Sequence, residues 1–132
     1  METKNELTGF VVYEPRKYRS NGIAFSVNNR TLRFTTEAVT KIGAPDYVNI
    51  FFDDTKKRML VTAAKKDYKN VFQLRKPSNR LSVRSAIFCA ALCIQVQRLA
   101  GIEDCEKLVS FKGRVYSPTQ LIFDLSKHQE EA

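Results

Sequence analysis

Residues 23–34 read Ile-Ala-Phe-Ser-Val-Asn-Asn-Arg-Thr-Leu-Arg-Phe, and the fold class follows from this stretch and its continuation. Apolar side chains alternate with small or polar ones in residues 23–27 and again in residues 31–34, which is typical of strands. The Asn-Asn-Arg between them favours a turn. We therefore predict a β-hairpin with one apolar face, formed by Ile23, Phe25, Val27, Leu32 and Phe34.

The spacing of the apolar residues changes after this hairpin. Ala38, Val39 and Ile42 have the spacing of one helix face. Thr36 can cap such a helix, because its hydroxyl can accept a hydrogen bond from an unpaired N–H of the first turn. Gly43 can end it, since glycine adopts the left-handed conformation at little cost. The pattern predicts a short helix from Thr36 to Gly43.

A second hairpin and a further strand complete the first half. Residues 47–52 and 58–62 alternate in polarity on either side of Asp53-Asp54-Thr55-Lys56, which is typical of a turn. Residues 71–74 are apolar enough for one more strand. Asp53-Asp54 could also bind a metal together with Asp46 or Asp124, but we favour the interpretation that the aspartate bonds its own turn backbone.

The second half predicts strands at residues 81–83, 107–111, 114–116 and 121–125. Lys112-Gly113-Arg114 should form a bend between two of them. Ser85 is predicted to cap a helix that runs to Ala100 and ends at Gly101. Because apolar residues surround most of this helix, it should be buried or pack on two sides.

Residues 32–39 and 81–88 follow one pattern of strand, hydroxyl residue and helix, and each helix is ended by a glycine and followed by a hairpin. One interpretation is a duplication that gives two β-α-β-β units, residues 22–62 and 71–125. The other is chance similarity, since the residues themselves differ. We expect a single α+β domain over residues 1–132. It should be a small bent sheet or partly closed barrel with one short and one long helix, and residues 1–9 and 126–132 should fray.

The first unit resembles the swapped-hairpin domain of the AbrB and SpoVT-type transcription regulators. The likeness runs through residues 33–43 (Arg-Phe-Thr-Thr-Glu-Ala-Val-Thr-Lys-Ile-Gly) and on to Asp46, residues 47–54 and residues 59–61, less than a quarter of the chain. In that family two units form a small closed barrel, usually by dimerisation, and basic residues at the start of the unit grip DNA. The resemblance implies that two units could close the barrel within one chain.

The carry-over of DNA contacts from this family is limited. The family often has proline where this chain has Thr35, and it has paired arginines among its DNA contacts where this chain has Val39 and Thr40. The resemblance therefore transfers a DNA-binding role only to Arg30 and Arg33.

The composition indicates a globular protein of the cell interior. Hydrophobic residues make up 43% of the chain, no apolar run is long enough for a membrane span, and the N-terminal segment lacks the apolar core of a signal peptide. We expect a cytoplasmic location and no membrane partner. Cys89, Cys93 and Cys105 lack the spacing of a disulfide framework or a metal site, so we interpret them as core residues.

Catalysis is not expected from this sequence. The one histidine, His128, lies in the polar tail, so no nucleophile and base can be paired convincingly. The glycines are isolated and form no phosphate-binding loop, and we expect no cofactor.

The charge provides the functional signal. The net charge is +8, and beyond residue 80 six basic residues balance six acidic ones, so the whole excess lies in residues 1–80. Such a field attracts polyanions. Tyr68, between Lys66 and Lys69, is the best candidate to stack on a base. The candidate nucleic-acid-binding residues are Arg16, Lys17, Arg19, Arg30, Arg33, Lys56, Lys57, Arg58, Lys65, Lys66, Tyr68, Lys69, Arg75, Lys76 and Arg80.

We hypothesise a nucleic-acid-binding regulator or accessory protein of a phage or mobile element, which contacts phosphates and does not read sequence. This requires that the bases of residues 56–80 lie on one surface. The alternative is a protein-interaction module that docks on an acidic protein or a ribonucleoprotein, for example a phage-encoded inhibitor of host defence. A third hypothesis is a homodimer joined by the long helix, in which the basic segment only maintains solubility.

Overall fold

The computed structural model describes residues 9–11, 22–76 and 84–130, with side chains up to His128. Within these residues the chain forms nine strands and two helices. The strands are β1 (Ala24–Val27), β2 (Thr31–Phe34), β3 (Tyr47–Asp53), β4 (Arg58–Ala64), β5 (Phe72–Gln73), β6 (Ala86–Phe88), β7 (Val109–Ser117), β8 (Gln120–Asp124) and β9 (Gln129–Glu130); the helices are α1 (Thr36–Lys41) and α2 (Ala90–Ala100).

The strands form a nearly closed, barrel-like sheet. Neighbouring strands follow the order β5-β3-β4-β8-β7-β1-β2-β6, each pair is antiparallel, and β9 pairs with β7 beside this path. Arg75, just after β5, forms an antiparallel bridge with Ala86 of β6. This bridge joins the two ends of the path. The predicted α+β fold with a partly closed barrel, one short helix and one long helix is confirmed at this level.

The pairing register defines two ends of the barrel. β4 and β7 run in the same direction, because each is antiparallel to β8. β4 begins after the β3–β4 turn, and Val109 at the start of β7 pairs with Val27 beside the β1–β2 turn. Both turns therefore lie at one end, the turn end, where β6 also leads into α2. The opposite end, the loop end, carries α1, the β4–β5 loop (residues 65–71) and Arg75.

Phenylalanine rings from three strands fill the barrel. The ring of Phe25 stacks on Phe111 at 5.0 Å and meets the edge of Phe123 at 4.8 Å between centroids, and all three side chains are buried. Burial of each ring stabilises the fold by roughly 1.5–3 kcal/mol. Phe25 comes from the predicted apolar face of the first hairpin, and the strand predicted at residues 31–34 has those bounds.

Two predicted helix starts are wrong. The cap of α1 is Thr35 and not Thr36, since the Thr35 Oγ1 accepts the hydrogen bond from the Ala38 N–H. The long helix does not begin after Ser85. The stretch Ala86–Phe88 is strand β6, and Cys89 is the cap of α2. An apolar run of this kind fits a buried strand as well as a helix, and pairing with β2 decides between them.

The predicted bend at Gly113 is also wrong, because β7 runs through it without interruption. A side chain at this position would collide with its neighbours: an added Cβ would lie 2.4 Å from the Phe123 ring and 2.6 Å from the Ile122 carbonyl oxygen. Glycine therefore serves here to admit the ring of Phe123 into the core. The two helix-ending glycines are confirmed, since Gly43 and Gly101 have φ of 87° and 75°.

The end of the chain does not fray over its full predicted length. Gln129 and Glu130 form β9 against Ser110 and Val109, and the His128 ring lies 5.8 Å from Phe111. Cys93 is buried in the core as predicted, while Cys89 and Cys105 are half-buried, and all three are free thiols. Neither described helix has the length and hydropathy of a membrane span.

Candidate nucleic-acid interface

The candidate binding residues do not form one surface. Arg16, Lys17, Arg19 and Arg80 lie outside the described residues. The turn end carries Arg30, Lys56, Lys57 and Arg58; the loop end carries Lys65, Lys66, Tyr68, Lys69, Arg75 and Lys76. Arg33 lies on the outer wall of β2.

Strand β4 separates the two groups. It pairs with β3 from Arg58 opposite Asp53 to Ala64 opposite Tyr47. A seven-residue strand extends over about 20 Å, since each residue adds roughly 3.3 Å. The expectation that the bases of residues 56–80 share one surface is therefore wrong, because residues adjacent in the sequence sit at opposite ends of one strand.

At the turn end, Arg58 is paired with one of the chain's own carboxylates. Its Nη2 lies 2.8 Å from the Asp53 Oδ2. The other oxygen of Asp53 accepts hydrogen bonds from the backbone N–H groups of Thr55 and Lys56, both at 3.1 Å. This is the turn role predicted for Asp53. The hydrogen bond from Arg58, then that from the Lys56 N–H, lowers the pKa of Asp53.

Among the described residues, the aspartates that the sequence suggests for a metal site do not come together as a group of three or more metal-binding side chains. Asp46 precedes β3 at the loop end, whereas Asp53 closes β3 at the turn end, so one ion cannot reach both. Asp124 lies at the turn end, opposite Arg58 across β4 and β8. Its carboxylate accepts hydrogen bonds from the Ser126 hydroxyl at 2.6 Å and the Ser126 N–H at 2.9 Å, and these lower its pKa.

The turn end as a whole is close to neutral. Among its described side chains, seven basic residues stand against six acidic ones, a net charge of +1. The basic residues are Arg30, Lys56, Lys57, Arg58, Arg98, Lys107 and Lys127; the acidic ones are Asp53, Asp54, Glu103, Asp104, Glu106 and Asp124. Charges of both signs interspersed in this way give a weak net field for a polyanion.

At the loop end, the β4–β5 loop is held in one shape by hydrogen bonds. The Tyr68 N–H donates to the Lys65 carbonyl at 3.0 Å and closes a turn. Asn49 on β3 donates from its Nδ2 to the carbonyl oxygens of Lys69 at 2.8 Å and Asn70 at 3.2 Å. Asn70 then reverses the chain in the left-handed conformation, with φ of 59°. The loop is thus pinned at its middle and at its end.

This pinned loop presents its charged side chains to solvent. Lys65, Lys66 and Lys69 are exposed, and none of them forms an ion pair with another residue that the structure describes. Tyr68 keeps 49% of its surface exposed. The backbone hydrogen bonds fix where the lysines stand, while their heads remain available to an anion.

The basic surface continues onto the segment after β5. The Leu74 N–H donates to the Asp46 carbonyl at 2.8 Å, and buried Leu74 anchors the segment in the core. The backbone of Arg75 bonds that of Ala86 in both directions, at 2.7 and 2.9 Å, so the Arg75 side chain is held at the loop end. Arg75 and the following Lys76 are exposed.

The loop end therefore carries most of the charge excess. Among its described residues, seven basic side chains stand against three acidic ones, a net charge of +4. The basic residues are Lys41, Lys65, Lys66, Lys69, Arg75, Lys76 and Arg84; the acidic ones are Glu37, Asp46 and Asp67. Arg84 lies 3.6 Å from Asp46, and both are exposed, so this pair contributes little stability.

Three residues of the loop end were not predicted from the sequence. Lys41 and Arg84 belong to separate sequence segments and are brought here by α1 and by the start of β6. Asn49 positions the loop, and the alternation of β3 indicated only that it faces outward. Its partners, the carbonyls of Lys69 and Asn70, are twenty and twenty-one residues away, and no local signal marks such a contact.

The residues suggested by the family resemblance lie elsewhere. Arg30 is at the turn end, and Arg33 is on the wall between Ser26 of β1 and Ala86 of β6. Lys112 and Arg114 on β7 are further exposed bases of the wall. Arg30 and Arg33 therefore do not join the cluster at the loop end.

No protein-family model, no curated protein and no solved structure matches this chain.

Proposed function

We propose that this protein binds nucleic acid through the backbone phosphates, with the loop end as its contact surface. The observation that supports this most is the β4–β5 loop, in which Lys65, Lys66 and Lys69 are exposed and form no ion pair with another described residue, while Asn49 bonds the carbonyls of Lys69 and Asn70. Phosphate contacts of this kind supply affinity that falls steeply with salt, and they do not read sequence. A regulatory or accessory role for a phage or mobile element remains a prediction from size, charge and resemblance.

The barrel topology supports the proposal of an internal duplication. The Arg75–Ala86 bridge closes the strand order into a circle. If β1, β2, β3 and β4 trade places with β5, β6, β7 and β8 respectively, the neighbours around this circle stay the same. β2 then pairs with its counterpart β6, and β4 with its counterpart β8. This is the arrangement expected if two swapped-hairpin units close one barrel within one chain. A related sequence whose first half aligns with its second half only when gaps are placed inside β2 and β6 would contradict the duplication.

The nucleic-acid proposal is tested by charge reversal at the loop end. The variant K65E/K66E/K69E removes three phosphate contacts, and each contact contributes roughly 0.7–0.9 to the slope of log affinity against log salt. We expect the slope to become less steep by about 2 and the affinity to fall about 100-fold at ~0.1 M salt. Fluorescence anisotropy with a labelled oligonucleotide, measured over a salt series, gives both values.

The matched control reverses three charges at the turn end. R30E/K56E/K57E changes the net charge by the same amount, and all three side chains are exposed. It should retain most of the affinity of the unchanged protein. Equal losses in both triple variants would mean that total charge, and not the loop end, governs binding. No binding by the unchanged protein at ~50 mM salt would overturn the proposal, and a nuclease-resistant pull-down of one acidic protein would support the protein-interaction module in its place.

A further inference from the structure

Tyr68 lies at the centre of the loop-end cluster with its position set by the backbone. Its own N–H is bonded to Lys65, and the carbonyl of the next residue, Lys69, is bonded to Asn49. Among the described residues no other aromatic ring contacts it, and about half of its surface is exposed. A loop whose backbone is already held by hydrogen bonds loses less conformational freedom when a ligand binds to its side chains.

A second exposed aromatic residue lies at the same end. Tyr116, near the end of β7, keeps 62% of its surface exposed. The Ala63 N–H donates to the Thr119 carbonyl at 2.9 Å, which brings the β7–β8 turn against β4 just before Lys65. Two exposed rings thus lie at the end of the barrel whose described charges are mainly positive. Rings and cations combined in this way are the means by which proteins hold unpaired nucleotides.

The two helices within the described residues do not offer the means to read a duplex. The major groove admits a helix that carries polar side chains toward the bases. α1 has only six residues, exposes Glu37, and uses the Thr40 hydroxyl to bond the Thr36 carbonyl at 2.7 Å. α2 lies at the opposite end. Inside a duplex, moreover, a base is stacked on its neighbours and could meet a tyrosine ring only after it leaves the stack.

We infer that the ligand of the loop end is a single strand of nucleic acid, with one base stacked on Tyr68, a second on Tyr116, and the intervening phosphates on the lysines of the β4–β5 loop. The inference rests on the proposed function and names its substrate class. It assigns the discrimination between single strand and duplex to two tyrosines and the affinity to the lysines. DNA and RNA strands share this chemistry.

The test compares two twelve-residue strands that differ only in their bases. One is oligo-dT, and the other is an abasic strand with the same phosphates. The unchanged protein should bind oligo-dT about 5- to 100-fold more tightly than the abasic strand, since one stacked base contributes on that order. Y68A and Y116A should each lose part of this difference, Y68A/Y116A should bind both strands with nearly equal affinity, and Y68F should keep the difference, because the ring and not the hydroxyl stacks.

The matched control is F88A, which removes an equally exposed ring, 56% accessible, from the turn end. It should leave the preference for oligo-dT unchanged. Oligo-rU and a duplex of the same length complete the set: equal affinity for oligo-dT and oligo-rU means that the sugar is not read, and a higher affinity for one assigns the strand type. Tighter binding of the duplex would overturn the inference.

Failure of this inference is distinguishable from failure of the proposed function. If all strands bind, K65E/K66E/K69E abolishes binding, and Y68A changes nothing, the loop end is a general phosphate site and only the stacking role is wrong. If poly-glutamate competes as well as oligo-dT, the site recognises charge alone. If no strand binds the unchanged protein, the proposed function itself is wrong.

Discussion

The two ends of the barrel are built alike but differ in chemistry. Each end has a helix that follows a strand, α1 after β2 at the loop end and α2 after β6 at the turn end. Each end also has a tight hairpin turn, β7–β8 or β3–β4. Yet the described side chains carry a net charge of +4 at the loop end and +1 at the turn end. Since the same architecture tolerates both distributions, folding does not require the excess at the loop end, and the proposed binding of phosphates would give a physical reason for it.

The contrast extends to how each end treats its arginines and lysines. At the turn end Arg58 is bonded to Asp53, which is itself bonded to its own turn. At the loop end the hydrogen bonds of Asn49 go to backbone carbonyls, and the lysine heads are left to solvent. Hydrogen bonds thus neutralise a charge in one case and position charges in the other. This is why a count of basic residues along the sequence does not locate a binding surface.

The helix N-termini also differ between the two ends: α1 at the loop end has a side-chain cap, and α2 at the turn end has none. Substitution at each cap position can test this difference. Thr35 Oγ1 accepts from the Ala38 N–H at 3.2 Å and the Ala24 N–H at 3.3 Å, and it donates to the Gly22 carbonyl at 2.8 Å. Thr35→Ala should therefore lower the free energy of unfolding by about 2 kcal/mol, the upper part of the range for a helix cap. Urea denaturation measures this, and Thr35→Ser, which keeps the hydroxyl, should recover most of the loss. Equal losses in the two variants would show that the methyl group, and not the cap, matters.

At the turn end the corresponding cap is missing, and adding one should stabilise the protein. Cys89 has the extended backbone of a cap residue, but its side chain makes no capping hydrogen bond. Cys89→Ser supplies an oxygen acceptor in nearly the same volume and should raise the free energy of unfolding by about 0.5 kcal/mol, since the new bond is partly offset by the loss of apolar contact. Cys105→Ser makes the same chemical change at the same end, away from any helix start, and should bring no gain. A neutral or lower stability of Cys89→Ser would mean that the thiol's packing outweighs a cap here.

The thiol of Cys93, one turn further along α2, is packed in the core. Burial, then the nearby Cys89 thiol, raises the pKa of Cys93 to about 11. Cys93 is therefore protonated at neutral pH, which is the form suited to a core position and not to a nucleophile.

The sequence predicts local structure well where the signals are short-range. In the first hairpin the second strand has its predicted bounds and the first begins one residue later than predicted, because alternation and turn residues occur within twelve consecutive positions. The prediction fails where a distant contact decides: Ala86–Phe88 becomes a strand because β2 lies beside it, and Gly113 stays within β7 because Phe123 needs the space. The position of the Thr35 cap was missed by one residue because Thr36 offers the same hydroxyl.

The candidate site follows the same rule. Lys65, Lys66, Tyr68 and Lys69 form one group because they share one short loop, as their spacing indicates. The predicted strand at residues 58–62 already implied that Arg58 and Lys65 lie a strand's length apart, so the separation of the two groups was readable from the sequence. The contributions of Lys41, Arg84 and Asn49 were not, since they depend on barrel closure and on contacts between distant segments.

Acid should act on the turn end through Asp53 and Asp124, and this effect is the smallest of those expected, because Asp53 is partly exposed and Asp124 is exposed, so that water screens their interactions. The pKa of each is lowered from the ordinary value of 3.8 in the folded protein. A carboxylate with a lowered pKa contributes stability that is fully present above its unfolded pKa and is lost as the pH falls through its folded pKa. The urea midpoint should therefore decline below about pH 4, and D53N/D124N should decline less, because an amide cannot be protonated in this range. Parallel profiles for the two proteins would mean that the hydrogen bonds from Arg58 and Ser126 do not depend on the carboxylate charge.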